Sequence, residues 1–338
     1  MYLRFYGLRE LPFELTPNPK FLFMTAQHSE AVANLEYGLS TAKAVTLLIG
    51  EAGTGKTTLL RAAMESEACQ SVRAVHLTNP QLSRSEFIET LARAFALSPE
   101  AHTSKATLLS ELEATIRERR GRGQISALVV DEAQRLSEDL LEEVRLLANI
   151  ETDTEKLLPL VLAGQPELSE RLNEVGLRQL KQRVALRCEI KPFELVDTAA
   201  YMASRIRTAG GDARRLFTRE AVMLIQKYSR GIPRTISVIC DNALLNGFAA
   251  GRQPVGRDVI EEVARDFDLQ RQPPVTVEEH SGVPVEHEWA KSPDAAPQPV
   301  MDVAAAAPRE VPKTVQAPER PVLAGPSARQ RFSLFGRP

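Results

Sequence analysis

The stretch GEAGTGKTT, residues 50–58, constrains this chain more than any other feature. It fits G-x-x-x-x-G-K-[ST] at every fixed position, follows the β-rich run AVTLLI (44–49) and opens the amphipathic run TTLLRAAMES. Strand, glycine-rich turn and helix in that order make a phosphate-binding loop. Gly50, Gly53 and Gly55 let the backbone curl so that its N–H groups face an anion, and the helix N-terminus adds partial positive charge. Glu51, Ala52, Thr54 and Thr58 complete the loop and the helix start. Lys56 is expected to reach the β- and γ-phosphates of a nucleotide, and Thr57 to hold Mg²⁺ through its hydroxyl.

ALVVDEAQ (127–134) supplies a second part of such a site. A buried hydrophobic strand delivers Asp131 to its C-terminal end, where ligands of open α/β sheets bind, and Asp131 is placed to complete the Mg²⁺ shell. Glu132 beside it can polarise an attacking water. That favours hydrolysis over binding alone. Gln165, in LAGQPEL, has two readings: contact with the γ-phosphate or the water, or turn chemistry ahead of Pro166. In SRGIPRTI (229–236), Gly231 ends one helix, Pro233 suits the first turn of the next, and Arg234 projects from that start. A cation there opposes the helix's own partial charge, so anion contact explains it better than a solvated face. RQLKQRV (178–184) carries Arg178, Lys181 and Arg183 just ahead of an apolar run. It is either a solvated basic face or half of an active site whose other half lies on another molecule.

Five β-rich runs, AVTLLI, VRAVHL (72–77), ISALVV (125–130), LLPLVLA (157–163) and VALRCEI (184–190), alternate with helical stripes. SRSE (83–86) has the form of a capping box, and Gly121 closes a stripe of Leu108, Leu109, Leu112 and Ile116. The expected fold class is α/β, a P-loop NTPase with a five-stranded parallel sheet covered on both faces. After Ile190 only helical stripes remain. The domains expected are an α/β nucleotide-binding domain over 1–192, a helical lid over 193–269 and a disordered proline-rich tail over 270–338. Twelve of the 22 prolines fall in that tail, where no apolar period survives.

A formal net charge of −2 gives no strong footprint for nucleic acid or an anionic membrane at the level of the whole chain, which weakens a DNA reading without removing it. Cys69, Cys188 and Cys240 have no partner at metal-ligand spacing and do not form a disulfide framework. Charges and prolines interrupt the N-terminus where a signal peptide needs an apolar core, and no apolar run approaches the ~20 residues that span a bilayer. A cytoplasmic location is expected.

GEAGTGKTT, VVDEAQ, LLANIET, LAGQPEL, RQLKQRV and GIPR occur in the order and context of the AAA+ ATPases of the ExeA type (general secretion pathway protein A). FYGLRELPFELTPNPKFLF also resembles that family's opening, so the resemblance covers about residues 1–268. The exosortase-linked (PEP-CTERM locus) secretion ATPases are the most similar in kind. The resemblance implies ATP and Mg²⁺, with Lys56 and Thr57 as Walker A, and Asp131 and Glu132 as Walker B. It further implies Gln165 as sensor 1, Arg234 as sensor 2 and Arg183 as an arginine finger, with Arg178 as its alternate and Lys181 a solvated neighbour. Leu8 and Pro12 are expected near the adenine. Gln165 departs from the Asn, Ser or Thr common at sensor 1 in AAA+ proteins generally.

As partners, the resemblance implies further copies of the chain in a ring and a membrane-associated secretion or export component, with peripheral recruitment to the inner membrane. ExeA proper continues into a transmembrane helix and a peptidoglycan-binding domain that do not follow here, which turns the expectation away from direct work on the cell wall. The terminal RQRFSLFGRP (329–338) has two readings, a docking motif on a tether or a featureless end. The alternative function is a DNA-associated ATPase of the TniB-like transposition or origin-recognition type. A nucleotide-dependent scaffold with very slow turnover is a third.

Overall fold

A computed structural model of the protein describes residues 2–16, 18–78 and 81–269, which belong to one compact unit. In chain order the elements are α1 (Tyr2–Tyr6), α2 (Ala26–Ser40), β1 (Val45–Gly50), α3 (Lys56–Met64), β2 (Val72–Leu77), α4 (Arg84–Phe95), α5 (Lys105–Gly121), β3 (Ile125–Val130) and α6 (Glu138–Leu147). There follow β4 (Leu160–Gly164), α7 (Pro166–Arg171), α8 (Arg178–Lys181), β5 (Val184–Ile190), α9 (Leu195–Thr208), α10 (Ala213–Leu216), α11 (Arg219–Ser229), α12 (Pro233–Ala249) and α13 (Arg257–Asp266).

The five strands form one parallel sheet in the order β2-β3-β4-β1-β5. Central strands of such a sheet are covered on both faces, and β1, β3 and β4 are buried at every residue. That is why they read as unbroken apolar runs. Side chains alternate between two cores. Leu47 and Ile49 join Phe87, Leu91, Leu112, Ile116 and Leu140 on the α4–α5–α6 side. Leu48 joins Leu35, Leu39, Leu59 and Leu60 beneath α2 and α3. The expected capping box forms at the start of α4, where Ser83 accepts from the Glu86 N–H and the Glu86 carboxylate accepts from the Ser83 N–H.

A third core lies among α9 to α13, around Ile206, Ile225, Ile236, Ile239, Leu244 and Ile260. The described residues of the N-terminal segment, which chain order assigns to the α/β part, pack into this core through Tyr2, Tyr6, Leu8, Phe13 and Phe21. Five residues of α1 have too few turns to hold alone, so the segment is held by non-local bonds. Tyr2 donates to Asp241 (2.5 Å), Tyr6 to the Arg252 carbonyl (3.1 Å), and the Arg9 N–H to the Ala209 carbonyl (2.8 Å). Among the described residues no helix is long and apolar enough to cross a membrane. All three cysteines are buried free thiols. The tail and the motif at 329–338 lie outside the described residues.

Candidate nucleotide site

The loop after β1 closes on the N-terminus of α3. Gly53 and Gly55 take φ of +83° and +97°, in the left-handed region where a side chain is strained. A Cβ on Gly53 would also lie 2.8 Å from the Arg234 Cβ. The approach is that close because α12 begins against the loop, with the Arg234 N–H donating to the Gly53 carbonyl at 3.3 Å. Arg234 itself stays exposed, at the helix start expected from Pro233.

Lys56 is buried, and its Nζ donates to the Gly50 and Glu51 carbonyls at 2.7 and 3.0 Å. Burial lowers its pKa, against the pull of the Glu132, Asp131, Glu51 and Glu167 carboxylates. Thr57 Oγ1 donates to Asp131 Oδ2 at 2.5 Å. Asp131 is buried at the end of β3, its N–H held by the Leu77 carbonyl and its Oδ1 accepting from the Glu132 N–H at 2.9 Å.

Glu132 has φ +54°, left-handed for a residue with a long side chain. Its Oε2 accepts from Gln134 Nε2 at 2.7 Å and from Gln165 Nε2 at 3.3 Å. Burial alone would raise this carboxyl. The amides of Gln134 and Gln165 and the charges of Lys56 and Arg135 outweigh it, and the pKa ends below the usual range. Because β4 lies between β1 and β3, Gln165 is delivered between the phosphate loop and the Asp131–Glu132 pair. Loop, lysine, hydroxyl–carboxylate pair and carboxylate–amide pair therefore meet at one sheet edge. A cradle of backbone groups around a buried ammonium, with Thr57 and Asp131 paired beside it, fits a nucleoside triphosphate and its Mg²⁺.

Beside the loop opens a cleft of about 450 Å³ bounded by Gly53 to Leu59, α9, the start of α12 and residues 14–23. Phe21, Phe23, Phe193 and Tyr201 give it an aromatic wall, and Thr57 and Arg234 tie it to the phosphate end. Asp131, Glu132 and Gln165 border the loop from the strand ends and do not line this cleft. Neither Leu8 nor Pro12 lines it. Leu8 is buried in the helical core, and buried Pro12 turns its carbonyl to Arg205 Nε at 2.5 Å. The reason is that α1 anchors residues 2–13 to the bundle, so the described chain reaches the cleft from Glu14 onward.

Residues not singled out from sequence complete the wall. Arg205 donates to the Pro12 and Glu14 carbonyls and to Tyr201 Oη, and lies 5.1 Å from the Phe21 ring centroid. His28 is buried with Nδ1 accepting from the Thr25 N–H at 3.3 Å and its ring edge-on to Phe193 at 5.5 Å. The aromatic pair in FLF (21–23), following a proline-rich approach, is the one local signal that could have marked this wall.

Arg183 precedes β5, and Val184 pairs with Val45, the first residue of β1. The phosphate loop follows β1's last residue, six residues and roughly 20 Å further on. No side chain spans that distance, so Arg183 cannot serve its own chain's loop. Arg183 Nε is buried with no hydrogen-bond partner among the described residues. Glu151, whose carboxyl is lowered chiefly by Lys156, also feels its charge. Arg178 is exposed, and Lys181 donates to Asn173 Oδ1 at 2.6 Å.

Residues 40–172 match the family model described as AAA domain. General secretion pathway protein A of Aeromonas hydrophila is 39% identical over 255 residues, which is 75% of this chain and 46% of that protein. This chain belongs to the ExeA-type AAA proteins. It spans about half the length of that curated relative. The fold is shared with the ORC2 protein of Aeropyrum pernix in its ADPNP–ADP complexes (TM-score 0.54, 17% identity, 78% of this chain and 74% of that one). Cdc6p of Pyrobaculum aerophilum (0.56, 18%, 78% and 74%) and Drosophila ORC bound to DNA (0.55, 19%, 76% and 64%) share it too. For this ExeA-type chain these likenesses concern the fold alone, a five-stranded parallel sheet with a helical bundle.

Proposed function

We propose that the protein is an ATPase that couples ATP binding and hydrolysis to the assembly or remodelling of a secretion or cell-envelope export system. The observation that carries the reading is the convergence of Lys56, Thr57–Asp131 and Glu132–Gln165 at one sheet edge under the helical bundle. The backbone of residues 50–55 and Lys56 bind the phosphates, the cleft wall takes the base, and Arg234 adds a cation from α12. Thr57 and Asp131 would hold Mg²⁺, which when bound neutralises phosphate charge. Glu132, held ionised, accepts the proton of the attacking water, and Gln165 orients both.

Arg183 belongs to the neighbouring copy's site. A fixed guanidinium there is worth ~10³ to 10⁵ in turnover. The envelope role rests on the similarity to general secretion pathway protein A. In this reading the chain is cytoplasmic and recruited peripherally to the inner membrane, with 329–338 as the docking motif.

Lys56→Ala should abolish ATP binding, whereas Glu132→Gln should bind ATP and lose at least ~100-fold in kcat. Hydrolysis surviving in Glu132→Gln would remove the assignment of the base. The origin-recognition likeness keeps a DNA-associated reading in play. DNA stimulation of the ATPase that disappears with added salt would favour it over the envelope role.

A further inference from the structure

Gln134 stands where the ends of β3 and β4 come together. Its Nε2 donates to Glu132 Oε2 at 2.7 Å, and its Oε1 accepts from the Gln165 backbone N–H at 3.2 Å. One planar amide thus commits its donor to the first loop and its acceptor to the second. The amide is itself held in place. Arg171 Nη1 donates to the Gln134 and Leu136 carbonyls, both at 2.7 Å, fixing the backbone that carries it. Gly164, the last residue of β4, leaves the space it needs, since a Cβ there would come within 2.9 Å of Gln134 Oε1. Glu132, by contrast, hangs from a left-handed backbone and has a flexible side chain. Without Gln134 its carboxylate would keep, among the described residues, the 3.3 Å bond from the Gln165 side chain and the charges of Lys56 and of Arg135 at 3.9 Å.

We propose that Gln134 is a positioning residue whose side-chain amide joins the Glu132 carboxylate to the Gln165 backbone, so that the two strand-end loops present base and sensor as one unit. This rests on the hydrolytic reading of the site. Each of two side chains of similar size lacks one of these jobs. Met fills the space without polar atoms, and Glu keeps the acceptor for Gln165 but sets a carboxylate against Glu132.

The test uses the full chain with Gln134→Met and Gln134→Glu, reading kcat and KM for Mg-ATP and, without nucleotide, backbone amide exchange at Gln165. Both variants should lose about tenfold in kcat with KM held within about twofold, since a positioned base supplies ~10² to 10⁴ and only its orientation is impaired. The Gln165 amide should exchange faster in Gln134→Met and stay protected in Gln134→Glu. A wild-type kcat in Gln134→Met, unchanged Gln165 exchange in that variant, or equal losses in binding and turnover would each overturn the proposal. A wild-type chain that binds ATP and never hydrolyses it sinks the hydrolytic reading instead, and the exchange measurements still decide whether the bridge exists.

Discussion

His28 links the start of α2 to the phosphate loop, and its protonation state is fixed by that position. Burial lowers its pKa, against a hydrogen bond to the Thr54 backbone and the charge of Asp197. Nδ1 accepts from the Thr25 N–H, which a protonated ring could no longer allow. Between the lowered value and the ordinary value of 6.5 the folded chain therefore binds fewer protons than the unfolded chain. Stability is full above that window and falls as the pH drops through it. Denaturant midpoints should be lower at pH 5.5 than at pH 7.5, and His28→Asn, which keeps an acceptor near the Nδ1 position, should shrink the difference. His76, lowered by burial in the same direction, supplies a remaining slope. An undiminished slope in His28→Asn would move the titration to another group.

At the scale of elements, what was legible in the sequence was what repeats locally. The five strands could be read because burial on both faces makes apolar runs, and the phosphate loop because its geometry demands fixed spacing. Asp131 and Glu132 followed from their place at a strand end. The cleft wall was not legible, because Phe21, Phe193, Tyr201 and Arg205 are brought together by tertiary packing that leaves no period behind. That Leu8 and Pro12 do not line it was hidden for the same reason, since nothing in GLRELPF says that it anchors to α9 before the chain reaches the cleft. Gln134 sits in plain view in DEAQ, but its bond to Gln165 needs the order β3-β4 to be known. The anchoring can be measured. Phe13 is almost fully buried and meets Phe217 edge-on at 6.3 Å, so Phe13→Ala should cost about 3–5 kcal/mol of stability. It should also weaken ATP binding, since residues 14–23 lose their fixed end. Leu11→Ala, at a side chain 40% exposed, should leave both nearly unchanged. Equal effects of the two would show that the segment does not hold the cleft.

At the scale of the whole molecule, the sheet puts the two ends of its chemistry on opposite edges. The loop lies beyond Gly50 and Arg183 lies ahead of Val184, beside the opposite end of β1. A head-to-tail ring satisfies both at once, because each copy then gives Arg183 to one neighbour and receives it from the other. On this reading Arg183→Ala and Glu132→Gln are each deficient in turnover but for different reasons, the first lacking what it gives and the second what it holds. In an equal mixture a working interface needs an Arg183→Ala chain as the site and a Glu132→Gln chain as the donor. Random assembly makes about a quarter of interfaces that way, so the mixture should recover about a quarter of wild-type activity. If Arg183 acted within its own chain, mixing could give no more than the average of the two parents. Full activity in Arg183→Ala alone would return RQLKQRV to a solvated face, whereas recovery near one quarter from two deficient parents requires that the site be completed across two copies.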